Sequence, residues 1–199
     1  VTGPCLAGFY CTGGAPSPTP TDALVGNVCP QGAYCPLGSA SPLPCPPGHY
    51  SSSAGNAEIQ DCLLCDAGYF CNGTGLVSPT GFLCPAGHFC PPGSSEPQPC
   101  PAGTFLPQSG MGFRNSCLPC PAGKFCQGEG LAAVSGPCHA GHFCDPGSTQ
   151  PDHRHCPPGF YCPEGSGFPI PCSPGSFSSV SGKGQPADCQ PCPAGYSCS

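Results

Sequence analysis

Cysteine is the residue type with the clearest chemistry in this chain, because 22 of the 199 residues are cysteine and they recur in one short phrase. Eleven of them stand three residues before a glycine, and an aromatic residue follows that glycine by two places in ten of the eleven copies. At this density, thiols are either oxidised to disulfides or bound to metal ions. We call each copy a module and number the modules one to eleven by their opening cysteines, which are Cys5, Cys29, Cys45, Cys65, Cys84, Cys100, Cys120, Cys138, Cys156, Cys172 and Cys192.

Disulfide formation fits the spacing better than metal binding does. Zinc sites need clustered Cys-x-x-Cys pairs with matching partners, but that spacing recurs only where one larger repeat meets the next. The three examples are Cys62/Cys65, Cys117/Cys120 and Cys189/Cys192. We therefore predict a disulfide scaffold with no metal ion and no cofactor.

Histidines and acids offer weaker candidates for a chemical site. Three histidines, His49, His88 and His142, occupy the variable position between glycine and aromatic, which we expect to face solvent. A transition-metal site formed by His139, His142, His153 and His155 is an alternative to a solvated loop, and we favour the loop. The ten acidic residues are scattered through loops. No serine lies in a Gly-x-Ser-x-Gly nucleophile elbow between a strand and a helix, and none has a base positioned beside it. We predict that the chain is not an enzyme.

The modules come in a short and a long kind, which differ in the position of the second cysteine. In eight short modules it stands six residues after the first cysteine, directly after the aromatic position, whereas in three long modules sixteen residues separate the two cysteines. The order short, short, long predicts three cysteine-rich units over residues 5–64, 65–119 and 120–191, the third with extra short modules, and the start of a fourth over residues 192–199. Because Val1 opens directly on a repeat, we expect the chain to be a piece of a longer protein.

The composition restricts the fold class. Pro (32) and Gly (31) interrupt every stretch, and no apolar helix period persists. A module this small buries too little apolar surface to offset its conformational entropy, so disulfides worth about 2–4 kcal/mol each must replace a core. We predict a small disulfide-rich, mostly irregular fold with short β ribbons at the aromatics, arranged as an elongated tandem-repeat array with little or no helix. The glycine of the repeated phrase suits either a positive φ or a ring packed on bare backbone, and we expect each aromatic ring to form a small core beside a disulfide and over that glycine.

The phrase also resembles known cysteine-rich repeats. Cys-Pro-Ala-Gly-x-Phe, with junctions such as Cys117-Leu-Pro-Cys120, resembles the ephrin-receptor-like repeat of the growth-factor-receptor superfamily, and the long module resembles the first loop of a tumour necrosis factor receptor repeat. That resemblance implies the disulfides Cys45–Cys62, Cys100–Cys117 and Cys172–Cys189. For the short modules three pairings stay open: closure of a module on itself, linkage to the next opening cysteine, or crossed one-to-three and two-to-four pairs.

Charge and hydropathy exclude several classes of partner. Only 7% of residues are charged, and the ten Asp plus Glu outnumber the four Lys plus Arg. We therefore expect no basic surface that could bind nucleic acid. Nothing approaches the roughly 18 to 20 apolar residues of a membrane span. The cysteines place the chain in an oxidising compartment, which predicts a secreted protein or a cell-surface ectodomain.

Glycosylation is the modification that the sequence supports. Asn72-Gly73-Thr74 is an acceptor sequon, whereas Asn27 and Asn115 begin only the rare cysteine variant. The stretch 13–21 alternates Pro with hydroxyl residues, which is typical of O-glycosylated chain, and an unmodified loop is the alternative. We predict glycans on Asn72 and on Ser17, Thr19 and Thr21.

Two functions are compatible with these features. The monotony of the repeat favours an extracellular structural or adhesive glycoprotein whose partners are other protein subunits, including copies of itself. The resemblance to receptor repeats allows a ligand-binding ectodomain instead, and residues 120–162 with Arg154 would then hold the binding site. We expect the structural function.

Overall fold

The computed structural model describes residues 3–79 and 82–198, a part of the chain that contains every cysteine. The eight short modules close on themselves over six residues, as Cys84 does with Cys90. This pairing resolves the three alternatives that the sequence left open. In the long modules Cys45 is bonded to Cys62, Cys100 to Cys117 and Cys172 to Cys189, the three pairs that the receptor resemblance implies.

Short β ribbons are the regular secondary structure of the chain. Over the described residues eighteen strands of two or three residues form nine two-stranded ribbons, and eight of these have a defined antiparallel register. In each ribbon the first strand carries the aromatic of one module and the second strand directly precedes the opening cysteine of the next. The prediction of a disulfide-rich, nearly helix-free repeat with ribbons at the aromatics is confirmed.

The ribbons are β1 with β2, β3 with β4, and so on in chain order to β17 with β18. The strands are β1 (Phe9–Cys11), β2 (Gly26–Val28), β3 (Ala33–Tyr34), β4 (Leu43–Pro44), β5 (His49–Tyr50), β6 (Leu63–Leu64), β7 (His88–Phe89), β8 (Gln98–Pro99), β9 (Thr104–Phe105), β10 (Leu118–Pro119), β11 (Lys124–Phe125), β12 (Gly136–Pro137), β13 (His142–Phe143), β14 (Arg154–His155), β15 (Phe160–Tyr161), β16 (Ile170–Pro171), β17 (Ser176–Phe177) and β18 (Gln190–Pro191). Module four has a single bridge between Tyr69 and Leu83 in place of a ribbon. Each long module adds one 3-10 turn, at Ile59–Asp61, Arg114–Ser116 and Pro186–Asp188.

The first glycine of each module sets the turn that leads into its ribbon. All eleven of these glycines have φ between 76° and 87°. In module three, His49 N–H donates to the carbonyl of Pro46 at 3.1 Å across Pro47 and Gly48. Glycine in the third position with proline before it is the pattern of a type II turn, which requires a positive φ there. The glycine is therefore a turn residue.

Successive modules are joined by a repeated set of four backbone hydrogen bonds. We call the position six residues after the opening cysteine the closing position, and the glycine three or four residues after that the second glycine. The first glycine donates to the closing-position carbonyl of the next module, and this bond recurs in all ten successive pairs within the described residues. Between modules four and five the set is Gly68 N–H to Cys90 O, Cys84 N–H to Gly68 O, Cys71 N–H to Ser94 O and Gly93 N–H to Cys65 O, at 2.8–2.9 Å.

Modules also contact the module two places further on. A Cβ on Gly8, in module one, would lie 2.7 Å from the carbonyl oxygen of Gly55, the second glycine of module three. A Cβ on Gly141 would lie 2.5 Å from the corresponding oxygen of Gly182. The same approach recurs at Gly32, Gly48, Gly68, Gly87, Gly103 and Gly123. Glycine is thus required at this position for two reasons, namely the positive φ of the turn and the close approach of the neighbouring backbone.

The disulfides, rather than the aromatic rings, form the buried interior. Most of the cysteines are fully buried, as Cys65, Cys71 and Cys138 are. Among the ten rings at the aromatic position only Phe89 is buried, and the other nine are half-buried. The expected packing of a ring beside a disulfide is seen at Tyr10, which packs against the buried Cys29, Ala33 and Cys35, although the rings are less buried than the cysteines.

The chain divides into two compact units. The first comprises Val1–Pro85, Phe89–Gln98 and Ser109–Phe113, and the second comprises Ala86–His88, Pro99–Gln108 and Arg114–Ser199. Within the described residues no helix is long and apolar enough to cross a bilayer. The four-unit division remains a prediction about the sequence repeat.

Candidate functional site: a charged cluster in module eight

Module eight, which runs from Cys138 to the opening of module nine at Cys156, is where the repeat departs from its neutral composition. The ion pairs found among the described residues all lie here, between His139 and Arg154. The chain has few charged residues, with four Lys plus Arg and ten Asp plus Glu. This concentration of charged side chains makes module eight the most polar part of the chain and the first place to look for a site that binds a charged partner.

Ribbon β13–β14 positions the cluster. Its register places His142 opposite His155 and Phe143 opposite Arg154. The loop between the strands, residues 144–153, starts at the closing cysteine, Cys144. The short disulfide Cys138–Cys144 and the ribbon together hold both ends of this loop in place.

Asp152 is shared between two histidines. Its Oδ1 lies 2.8 Å from Nδ1 of His139 and 3.7 Å from Nδ1 of His142. The first distance is a hydrogen bond, whereas the second is too long for one. His139 and Asp152 are 62% and 54% exposed, so solvent screens their pair, and it contributes below about 1 kcal/mol.

His142 has an unusual environment for its position in the module. Its Nδ1 is buried and has no hydrogen-bond partner among the described residues. The histidines at the same position in modules three and five behave differently, because Nδ1 of His49 lies 3.3 Å from the carbonyl of Pro47 and Nδ1 of His88 lies 3.2 Å from that of Ala86. The ring of His142 instead packs against that of His155, with centroids 4.5 Å apart.

These contacts correct the expectation that the variable position faces solvent. All three of its histidines are half-buried. In His49 and His88 the ring packs against its own turn, and its Nδ1 lies near the carbonyl oxygen two residues earlier in the chain. No sequence signal predicts this packing, because the variable position accepts many residue types.

Arg154 and Asp145 form the second pair of the cluster. Nε of Arg154 lies 2.9 Å from Oδ2 of Asp145, and the guanidinium carbon lies 6.0 Å from the centroid of the Phe143 ring. At 60% and 38% exposure the pair is solvated and adds little stability. It leaves an exposed guanidinium over a half-buried aromatic ring, and Arg and Phe are both enriched where proteins bind each other.

The histidines of the alternative metal site come together only in part. His139 and His142 approach Asp152, and His155 stacks on His142, but no group of three or more His, Cys, Asp and Glu side chains within the described ranges has the arrangement of a metal site. The chemistry that this cluster offers is hydrogen bonding and the recognition of a charged partner.

The predicted sugar sites differ in accessibility. Asn72 and Thr74 are both exposed, in the bend that follows Cys71. Ser17 and Thr19 are half-buried, and their hydroxyl oxygens lie 3.2 Å apart, so each hydroxyl already has a partner. Thr21 is exposed. Access therefore favours Asn72 and Thr21 as glycan sites.

A shallow groove of about 580 Å³ lies beside module one, between the Cys5–Cys11 loop and residues 13–18. Glycine, proline and alanine line most of it, together with Leu6 and Ser17. Ligand sites usually combine an apolar wall with several convergent polar groups. This groove lacks such convergence among the residues that line it, so module eight is the better candidate site.

The sequence matches no protein-family model, and no curated protein is significantly similar to it.

Proposed function

We propose that this chain is a segment of an extracellular structural or adhesive glycoprotein, in which disulfide-closed modules act as a spacer, a stalk or a subunit of a fibre. The observation behind the proposal is the repeated set of backbone hydrogen bonds between successive modules. The bond from the first glycine to the next module recurs in ten successive pairs, and it depends on main-chain atoms alone. Side chains outside the cysteine and glycine positions are therefore free to vary without loss of the array.

Several further features support this function. The cysteines are paired in eleven disulfides, which persist in oxidising compartments outside the cytosol. Only 7% of the residues are charged, which permits close approach of neighbouring copies, because few charged side chains must lose their hydration or repel one another. Asn72 is exposed in an acceptor sequon, as a glycoprotein requires. A place among the ephrin-receptor-like repeats of the growth-factor-receptor superfamily is part of the same proposal, and it rests on the repeated phrase.

Electron microscopy of the native protein under non-reducing conditions tests this function. A structural role predicts regular filaments or bundles that contain many copies, and mild reduction should disperse them as the modules lose their disulfides. Isolated single particles at all concentrations would count against the fibre version.

A ligand-binding ectodomain is the second candidate, and the charged cluster of module eight is the observation that favours it. The exposed Arg154 guanidinium beside Phe143 suits an acidic segment of a protein partner. In this case Arg154→Ala should abolish association with a partner captured by the native protein. Lys124→Ala is the matched control, since Lys124 is an exposed cation at a strand start in module seven. If both variants retain every interaction, the receptor function is wrong.

A further inference from the structure

We propose that module one of one copy of this chain binds modules ten and eleven of a second copy, through the same backbone hydrogen bonds that join successive modules within a copy. The inference rests on the structural function proposed above and deepens it, since it names the partner and the two surfaces that meet. The module-one face consists of Cys5, Cys11, Gly14 and Ala15, and the module-eleven face consists of Gly175, Cys192, Gly195 and Cys198.

The module-eleven face has one half of the repeated set of hydrogen bonds without a partner. Where the full set forms, the earlier module contributes the N–H and carbonyl of its first glycine, the N–H of its closing position and the carbonyl of its opening cysteine. In module eleven these groups belong to Gly195, Cys198 and Cys192, and none of them is hydrogen-bonded within residues 3–79 and 82–198. Because backbone N–H and carbonyl groups are strong donors and acceptors, this face can form the same four bonds with another module.

The module-one face has the complementary half. The later module of a pair contributes the N–H of its opening cysteine, the carbonyl of its closing position, the N–H of its second glycine and the carbonyl of the residue after it. In module one the N–H groups of Cys5 and Gly14 and the carbonyl of Ala15 have no hydrogen-bond partner in the described part of the chain. Gly14 has a φ of 68°, within the 68–83° range of the second glycines that do pair, so its backbone already has the conformation that the bond requires.

A groove lies at each face. The groove of about 580 Å³ beside module one is lined by all four residues of the module-one face. A second groove, of about 230 Å³, lies beside Cys198, and Phe177, Pro193 and Tyr196 form its apolar wall. Tyr196 is 79% exposed, and tyrosine is enriched where proteins bind each other. The small residues of the first groove leave room for the main chain of another module.

Modules ten and eleven lack the cover that the earlier modules receive. All four of their cysteines are half-buried, whereas in modules two to nine every cysteine except Cys117 is buried. This difference follows from the array itself, because each module is covered by the ones that come after it. A second copy that binds the module-eleven face would bury these disulfides in the same way.

The first glycines show the same lack of cover. In modules one to eight a Cβ on the first glycine would overlap with the second-glycine carbonyl two modules further on, but a Cβ on Gly175 or Gly195 would have nothing within 4 Å. If the repeat continues across the contact between copies, Gly175 meets the carbonyl of Gly14 of the second copy, and Gly195 meets that of Gly38. The contact joins two different surfaces, so copies can keep adding as an open chain or a closed ring.

Analytical ultracentrifugation of the intact, oxidised chain tests the contact. The wild type should form oligomers whose mass rises with concentration. Gly175→Ala should raise the dissociation constant about tenfold or more, because its Cβ overlaps with the Gly14 carbonyl of the second copy. Leu6→Arg should weaken binding from the other face, because Leu6 lines the module-one groove and the new charge would lose its water there.

Each variant has a matched control. Gly159→Ala has the same left-handed backbone penalty, since Gly159 has a φ of 83° and open space at its Cβ position. Its contact two modules further on would come from module eleven, which has no second glycine, so this change should leave association as in the wild type. Leu24→Arg should also have no effect, because Leu24 is 87% exposed and does not line the groove of module one.

A mixture of the two face variants tests the head-to-tail orientation. Leu6→Arg keeps the module-eleven face and Gly175→Ala keeps the module-one face, so together they should form one-to-one dimers that grow no further. The proposal is overturned if the wild type stays monomeric at millimolar concentration, if both face variants associate like the wild type, or if their mixture stays monomeric. Native filaments beside a monomeric chain would remove this contact and retain the structural function, whereas head-to-tail dimers beside isolated native particles would do the reverse.

Discussion

A Cβ on Gly141 would stand 2.5 Å from the carbonyl oxygen of Gly182, a residue two modules further along the chain. Real Cβ atoms do not approach an oxygen so closely, so this contact requires glycine for a reason separate from its φ of 84°. Gly159 offers the comparison, because it has the same place in its module and a φ of 83°, but nothing lies within 4 Å of its Cβ position.

Alanine substitution should separate these two requirements. Gly159→Ala incurs the penalty of a left-handed backbone alone, about 1 kcal/mol. Gly141→Ala adds an overlap with main chain, which costs about 1–3 kcal/mol more. Guanidinium unfolding with disulfides intact measures the difference, and exchange of the Cys156 and Cys172 amides, which donate to the carbonyls of Gly141 and Gly159, locates it. Equal losses would show that the contact between alternate modules has no energetic effect.

Removal of one disulfide should destabilise a long module more than a short one. The chain-entropy model gives about 3.2 kcal/mol for the loop closed by Cys100–Cys117 and about 2.4 kcal/mol for that closed by Cys120–Cys126. The paired serine variants of each disulfide, compared by guanidinium unfolding, test this order. A larger loss in the short module would indicate that packing around the fully buried Cys120 and Cys126 outweighs loop entropy.

The 3-10 turn of module three should respond to acid. Backbone N–H groups of Glu58 and Ala57 donate to the carboxylate of Asp61 and lower the pKa of that carboxyl below its ordinary value of 3.8. A lowered pKa means that the stabilisation is complete above the ordinary value and is lost as pH falls through the lower, folded-state value. The amide proton shifts of Ala57 and Glu58 should therefore titrate below pH 3.8.

One variant and one internal control complete this experiment. Asp61→Asn should abolish the titration of both amides. The corresponding turn of module six, Arg114–Ser116, has serine in place of the aspartate and serves as an internal control whose amides stay constant. Amides at Ala57 and Glu58 that titrate unchanged in Asp61→Asn would contradict the assignment.

Asn72 should carry an N-linked glycan when the chain passes through a secretory pathway. Asn72→Gln and Thr74→Ala should each remove one glycosidase-sensitive mass step on a gel. Asn27→Gln and Asn115→Gln should have no effect, because both asparagines begin a cysteine variant whose third residue is a disulfide partner, Cys29 or Cys117. A mass step that survives Asn72→Gln would place the sugar elsewhere.

The local part of this fold could be predicted from the sequence. The Cys-x-x-Gly-x-aromatic phrase predicts a turn with glycine at positive φ followed by an extended residue, since turn and strand preferences depend on near neighbours. Gly48 and Tyr50 follow that expectation, as a turn residue and a strand residue. The scarcity of helix follows from the spacing of Gly and Pro in the same way.

The partner of each short-module cysteine and the contacts between residues distant in the chain were decided only by the tertiary structure. The closure of Cys84 on Cys90, rather than on a neighbouring module, depends on which sulfurs the folded backbone brings together. The approach of Gly141 to Gly182 and the difference between His142 and His88 are set by the packing of other modules and of one loop. A repeated phrase specifies what each module does locally, whereas the free energy of these long-range contacts depends on geometry that exists only after the modules have assembled.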